Sequence, residues 1–430
     1  MDYLLFIVGL IMMYRKNYPW LFAIIIVLAS TYLQLPLKSE MRMMIGPEHN
    51  VADTGLLLYL IFWSNEVMRN GLYKAHPMAK PVSFFLLFLL LNGLVDIWNG
   101  VSAGDVIRYL KHWAYLTIVF VDIPLQIGGI KNLIKIIFWI TFFVSLILVV
   151  QYLLGVTWLG YTSTYNSYTR GAKPPSFAII CCCIASLNIF RLQRTVRIIT
   201  SLVFSLPIVF SMKMSYFTTL CLILMLFYLL KQEIYIIKLL KYAIIGLTCL
   251  VVLFTAFPVF YQRFQSTVNQ TEISSSQKEK GNFSYRIDHF TERLEYVLRD
   301  PLRSIRGLGY VQERNFHEKP FKLGQSNNWG QKAMLDTGDI AWSLLILRLG
   351  IFGIIFYLVM YSRFLRLLWM ERYNDELVLI FFSYLFISLV FMSLGNALIA
   401  YSDFFIIPLL ICGIKNEDST LYLELKHRRC

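Results

Sequence analysis

Apolar runs about as long as a bilayer is thick recur along almost the whole chain, and they leave few ways for it to fold. Tyr18 to Pro36, Val82 to Trp98, Leu133 to Leu154, Lys238 to Phe260, Ile340 to Met360 and Leu377 to Leu394 each approach or exceed the roughly 20 residues that cross a ~30 Å hydrocarbon core as a helix. With 57% apolar and 15% charged residues, the chain lacks the polar surface that a water-soluble domain needs. Lipid cannot hydrogen-bond a bare backbone, so runs of this length read as helices. Tyr3 to Met13, Gly55 to Met68, Val106 to Val121, Ser176 to Phe190, Val196 to Ser211 and Ser215 to Leu230 are shorter candidates. The expected fold is an all-α polytopic membrane protein of about 12 to 14 transmembrane helices. No small-residue cleavage site follows a basic start and a short apolar region, so a cleaved signal peptide is not expected.

Basic residues in the short connections set the expected orientation. Arg15 and Lys16, Arg69 to Lys80, Lys131 and Lys135, Arg191 to Arg197, Lys231, Arg363 to Arg372 and the tail Lys426, Arg428 and Arg429 are assigned to the cytoplasm by the positive-inside rule. Threading the spans between them puts Leu37 to Asp53, Leu159 to Pro175 and Tyr261 to Thr337 on the outer face. The chain then divides into N-terminal spans (1–260), a long outer loop (261–338), C-terminal spans (339–414) and a cytoplasmic tail (415–430). Much of the net charge of +14 is accounted for by this topology signal, and nothing resembles a nucleic-acid-binding module. Cys181, Cys182, Cys183, Cys221, Cys249 and Cys412 lie in apolar spans and Cys430 in the tail, so neither an outer disulfide nor a metal spacing is expected.

The long loop is itself basic, and long loops escape the positive-inside rule, so its charge calls for another explanation. Gly281-Asn282-Phe283-Ser284 reads as a turn and N-cap before a helix that runs to Arg299. Ile287, Phe290, Leu294 and Val297 make one apolar stripe, and Arg286, His289 and Arg293 make a basic stripe beside it. Asp300-Pro301 stops the helix. An amphipathic helix over the outer mouth of the bundle is expected, with its apolar side on protein or headgroups; a merely solvated basic face fits the same pattern.

Two more cationic points fall on the same side. Arg170 opens Arg170-Gly171-Ala172-Lys173-Pro174-Pro175, and Lys213 sits in Ser211-Met212-Lys213-Met214-Ser215 between two helix ends. Each alone reads equally as a snorkelling or capping group. Together with the loop they point to an anion site, for which a lipid pyrophosphate is the natural ligand at that depth. Arg108, Lys111 and His112, with Asp96 on the preceding span, are expected to cluster, as a structural ion-pair group or as a functional one.

In their order along somewhat more than the second half of the chain, these segments resemble the O-antigen polymerase and ligase superfamily, the Wzy-type polymerases in particular. Arg170-Gly171 to Pro175-Ser176-Phe177-Ala178 is similar to the family's Arg-Gly-Pro segment before a helix. The corner at Lys213 loosely resembles its Ser-Arg-small motif, with lysine in place of arginine. Arg286, Pro301, Gly307-Leu308-Gly309, Asp336-Thr337-Gly338-Asp339 and Gly350-Ile351-Phe352-Gly353 follow the order of its long loop and next helix. Ligases of the superfamily usually carry a His-Asn-type pair where this chain has Asp336 to Asp339, which favours a polymerase.

The resemblance implies glycosyl transfer between two undecaprenyl-pyrophosphate-linked oligosaccharides at the outer face of the bacterial cytoplasmic (inner) membrane, making O-antigen, capsule or exopolysaccharide. Arg170, Lys213, Arg286 and Arg293 are candidates for the pyrophosphates. Asp336, Asp339 and His289 are candidates for the base, although Asp336 to Asp339 also reads as a turn and N-cap. No cofactor, metal or nucleotide sugar is implied. A repeat-unit flippase and a chain-length regulator are the implied partners, besides membrane lipid. Ligase-type transfer to an acceptor, a lipid-linked sugar transporter and a structural or sensory subunit are the alternatives.

Overall fold

A computed structural model defines residues 2–30, 51–123, 125, 127–156, 158–159, 163–165, 168–170, 174–211, 214–231, 282–311, 316, 320–323, 325–326, 332–333, 335, 340–371, 375–390 and 402–413. These residues are overwhelmingly helical. In chain order they form α1 (Asp2–Tyr14), α2 (Tyr18–Ala29), α3 (Val51–Asn70), α4 (Ala79–Trp98), α5 (Ala103–Leu110), a 3-10 helix (Lys111–Phe120), α6 (Ile127–Leu154), α7 (Ala178–Ser186), α8 (Arg194–Phe210) and α9 (Met214–Leu230). The region expected as the long loop supplies α10 (Asn282–Leu298) and α11 (Pro301–Arg306), and α12 (Ala341–Glu371), α13 (Glu376–Val390), a 3-10 turn (Ser402–Phe405) and α14 (Ile406–Gly413) follow. Two small hairpins, β1 (Ser163–Tyr165) with β2 (Tyr168–Arg170) and β3 (Gln325–Ser326) with β4 (Lys332–Ala333), sit in the connections.

Among the described residues, Ala79–Trp98, Gly128–Leu154 and Ala341–Glu371 are long and apolar enough to cross a membrane, and α1, α2, α13 and Tyr216–Leu230 are shorter apolar helices. The expected span at Lys238 to Phe260 lies outside the described residues. Helices apolar all round are core helices: α2 is buried from Leu21 to Ala29, packed by α1, α3 and α6, and α7 is buried from Ala178 to Ala185. The wide lipid-like faces of α4 and α6, with Leu87, Leu91, Leu94, Phe143, Ile147 and Leu153 exposed, are the complement of that core.

The stretch expected as one helix from Val106 to Val121 changes type at Leu110. It continues as a ten-residue 3-10 helix, longer than such helices usually run. Its cause is tertiary. The Thr117 carbonyl, which an α-helix would offer to Val121, accepts instead from Trp63 Nε1 of α3 at 3.0 Å, and Val121 N–H turns to Ile118 at 3.2 Å. Thr117 Oγ also pairs with Tyr59 Oη at 2.8 Å, and Trp113, Leu116 and Val119 fill the core around it. Of the expected cluster of Arg108, Lys111 and His112 around Asp96, Lys111 is drawn elsewhere on this frame. Lys111 Nζ reaches Asp53 of α3 at 2.6 Å, Arg108 is exposed, and Asp96 turns to the long loop; the His112 side chain lies outside the described residues.

Ion pairs fasten the other end of the bundle. Asp375 and Glu376, at the start of α13, take Lys131 of α6 and Lys231 at the end of α9, each at 2.6 Å. Beside them His76 is buried and fully used. Its Nδ1 accepts the Met78 N–H at 3.1 Å, which leaves Nε2–H to donate to the Leu409 carbonyl of α14 at 3.1 Å.

One break shapes the rest. Gly350 interrupts α12 with φ 62 and ψ −167, and Gly307, just after α11, has φ 73 and ψ −164. Both lie in the region that only glycine populates readily. The two residues touch back to back: a Cβ on Gly307 would lie 2.6 Å from Gly350 N and from the Arg348 carbonyl carbon, and one on Gly350 would collide with Gly307 N and, at 2.7 Å, Ile305 O. Gly350→Ala is therefore expected to destabilise the protein by about 2 to 4 kcal/mol, from backbone strain plus the collision. The check is the thermal midpoint of the purified protein in detergent, with Gly128→Ala, where a Cβ meets nothing, as the control that should melt like the wild type.

Candidate functional site at the junction of the long loop with two helices

Asp300 both ends α10 and begins α11. Its carboxylate accepts the N–H groups of Leu302 at 2.8 Å and Arg303 at 2.9 Å, with Pro301 at the first helical position. These bonds, that from Arg303 foremost, hold its carboxyl below the usual range. The turn aims α11 along α12, and Gly307-Leu308-Gly309 then enters the break at Gly350. Leu308 N–H reaches the Leu347 carbonyl at 2.7 Å and Gly309 N–H the Arg348 carbonyl at 3.3 Å, acceptors that an unbroken helix would have given to Ile351 and Phe352.

The next residues cross to α4, where Leu89, Asn92 and Asp96 share one face. Asn92 Nδ2 donates to the Arg306 carbonyl at 3.1 Å, Tyr310 Oη to the Leu89 carbonyl at 2.8 Å, and Tyr310 N–H to Asp96 Oδ2 at 2.6 Å. Arg306 Nη2 pairs with the other Asp96 oxygen. Close approach is possible because Gly309, at φ 75, presents no side chain to the Asp96 carboxylate. Arg348, buried in α12, donates to the Gly309 and Val311 carbonyls and lies 5.9 Å from the Tyr109 ring, which stacks on Tyr310 at 4.6 Å. The loop is thus stitched between α4 and α12 by one carboxylate, two arginines and three glycines.

α10 lies above this seam, packed on α12, and it is rotated from the expected pose. Ile287, assigned to the apolar stripe, is exposed, whereas His289, Arg293, Tyr296 and Val297 turn inward. The reason is that two of the basic residues find buried partners. Arg293 is 0% exposed: Nη1 donates to Glu292 at 2.6 Å, Nη2 to the Leu323 carbonyl at 2.6 Å, and its plane lies 4.3 Å from the Phe321 ring. Glu292 in turn accepts the N–H groups of Lys322 at 2.5 Å and Leu323 at 3.2 Å, so the pair clasps residues 320–323 onto α10. His289, 1% exposed, sets Nδ1 3.1 Å from Ser343 Oγ in the first turn of α12, and its Nε2 is buried with no hydrogen-bond partner among the described residues. Burial, with the Arg293 cation beside it, pushes its imidazole down to about 4, so it is neutral at pH 7.

Of the seven site residues expected from the sequence, the structure brings His289 and Arg293 together on adjacent turns, with half-buried Arg286 one turn before His289 on the same face. Arg170 ends β2, opposite Ser163 in its hairpin, and its side chain lies outside the described residues. Lys213, Asp336 and Asp339 lie outside them too; the neighbours Leu335 and Ile340 are buried, Leu335 beneath α10 with Tyr296 and Val297. Ser343, Arg306 and Arg348 were not expected as site residues. A signal existed for Arg348, which is the one charged residue between Ile340 and Met360.

Removing the Asp96 carboxylate strands Arg306 and the Tyr310 N–H in a buried place. Asp96→Ala is expected to cost about 3 to 5 kcal/mol and to free residues 301–311, read as faster amide exchange there than in α13. For His289 the folded value lies below the ordinary 6.5, so the unfolded chain binds more protons between the two values, and stability falls as pH drops from 6.5 towards 4. Amide protection of α10 is expected to fall over that window, and His289→Asn should remove the contribution of this group, flattening the dependence.

No protein-family model matches the sequence, and no curated protein matches it either, so the chemistry of this junction stands on its own residues.

Proposed function

We propose that the chain joins lipid-pyrophosphate-linked oligosaccharide repeat units at the outer face of a bacterial cytoplasmic membrane, as a multi-pass polymerase of the Wzy type. The observation that carries this reading is the stitching of a cation-rich loop into one end of an apolar bundle. Cations fixed there suit a reaction whose leaving group is a pyrophosphate on a lipid. In this reading the 12 or so spans follow the expected orientation, and that end of the bundle faces outward.

The hydroxyl of an acceptor sugar attacks the anomeric carbon of the growing chain. The bond from that carbon to the pyrophosphate oxygen breaks, the lipid pyrophosphate leaves with the electron pair, and a base takes the hydroxyl proton. Arg286 is the loop's candidate for the pyrophosphate, with Arg170 and Lys213 from the neighbouring connections. Arg293 is already engaged by Glu292, Leu323 and Phe321, so its part is to hold the loop in shape. Burial of His289 favours Asp336 or Asp339 as the base that meets the acceptor, with neutral His289 supporting the start of α12 through Ser343.

A transporter would use a broken helix to bind its cargo. The break at Gly350 supports that reading less than its presence alone would, because loop N–H groups already occupy the Leu347 and Arg348 carbonyls. Nor does dependence on Asp96 identify a transporter, since Asp96 holds the loop.

The decisive test is mass spectrometry of lipid-linked saccharides in a deletion strain complemented with wild type or Arg286→Ala, with membrane levels of the protein matched. Single repeat units are expected to accumulate in the deletion and in Arg286→Ala, corresponding to a loss of at least ~100-fold in polymerisation. Unattached long polymer in the deletion would identify a ligase instead, and an unchanged lipid-linked pool would overturn the saccharide reading altogether.

A further inference from the structure

The turn between α10 and α11 carries a surface that the proposed chemistry does not use. Leu298 is 51% exposed, Leu302 60% and Ile305 46%, three large aliphatic side chains turned outward within eight residues of an otherwise polar loop. Exposed Arg299 and half-exposed Arg303 alternate with them, and the Arg303 guanidinium lies over the Tyr296 ring at 4.6 Å. In water such a cluster would be costly. Its place in the fold says what covers it.

α11 is held against α12 at the break: the Ile305 carbonyl lies against Gly350, and Gly307 against Gly350 and Arg348. Immediately beyond Gly350, Ile351, Phe352 and Ile355 are also exposed, on a helix long and apolar enough to cross a membrane. The aliphatic side chains of the turn therefore continue the lipid-facing surface of α12 at one level. Exposed Arg299 between them can lift its charged head to the phosphate layer while its stem lies along the apolar patch.

We infer that Leu298 to Ile305 docks into the leaflet of the bilayer at this end of α12, with Leu298, Leu302 and Ile305 among the upper acyl chains and Arg299 at the lipid phosphates. The loop is then fastened twice, to protein through Asp96 and Gly350 and to lipid through α11. This inference needs only that α12 crosses a bilayer, and it stands or falls separately from the glycosyl-transfer reading.

The test places an environment-sensitive fluorescent amino acid, dansylalanine, at Leu302 of the full chain. A second protein carries it at Thr291, exposed on α10 but outside the patch. Each is reconstituted at one copy per nanodisc in phosphatidylethanolamine and phosphatidylglycerol, with and without lipid bearing a spin label at acyl carbon 5. Docking is expected to give blue-shifted emission at 302 that the labelled lipid quenches at least threefold more strongly than at 291. Equal, water-like emission at both positions would overturn the inference. So would shielding of 302 that resists lipid quenching and appears only with two copies per disc, which would make the patch a contact between copies. A melting curve matching the unlabelled protein confirms that each labelled chain is folded.

Discussion

A single buried carboxylate organises one whole end of this protein. Asp96 is enclosed at the end of an apolar helix, where a charge persists only if it is neutralised and hydrogen-bonded. Arg306 supplies the charge and the Tyr310 N–H the second bond, and both come from a segment more than two hundred residues further along the chain. Satisfying Asp96 therefore means bringing the long loop down onto α4, and whatever else the loop carries is positioned by that requirement. Lys111, which could have served the same carboxylate, is occupied by Asp53.

The break in α12 is the matching half of the constraint. A helix that stops and restarts among apolar neighbours leaves carbonyls without donors, a cost that lipid cannot relieve. Leu308 and Gly309 supply the donors, and the facing glycines at 307 and 350 let the two backbones approach closely enough to do so. Each element is poorly formed without the other, so the loop segment and the upper part of α12 behave as one cooperative unit. α10, clasped by Arg293 and Glu292 and pinned by His289 to Ser343, is layered on top of that unit.

What the amino-acid sequence discloses about this arrangement divides along a physical line. Apolar length is a local property, so the segments that became α4, α6 and α12 were legible from composition alone. Punctuation is local too: Asp300-Pro301 announces a boundary, although its second role as the cap of α11 does not follow from it. Gly307-Leu308-Gly309 and Gly350-Ile351-Phe352-Gly353 were each visible, but nothing in a linear pattern tells that they press against one another, because that contact depends on three-dimensional approach. The rotation of α10 was missed for a related reason. A stripe of Arg286, His289 and Arg293 looks like a surface until Phe321, Leu323 and Ser343 arrive from elsewhere to receive it. The 3-10 helix after Leu110 depends likewise on a tryptophan of α3 competing for one carbonyl.

The paired glycines also bear on how such a chain is made. Synthesis delivers α4 first, the loop long afterwards, and α12 last. When the stretch around Gly350 emerges, its open carbonyls require donors that lie behind it in the chain, in residues already translated. The loop and the stretch around Gly350 therefore complete each other's hydrogen bonds only once both have been made. The final shape of α12 is in this way tied to a segment made before it, through two residues that have no side chains.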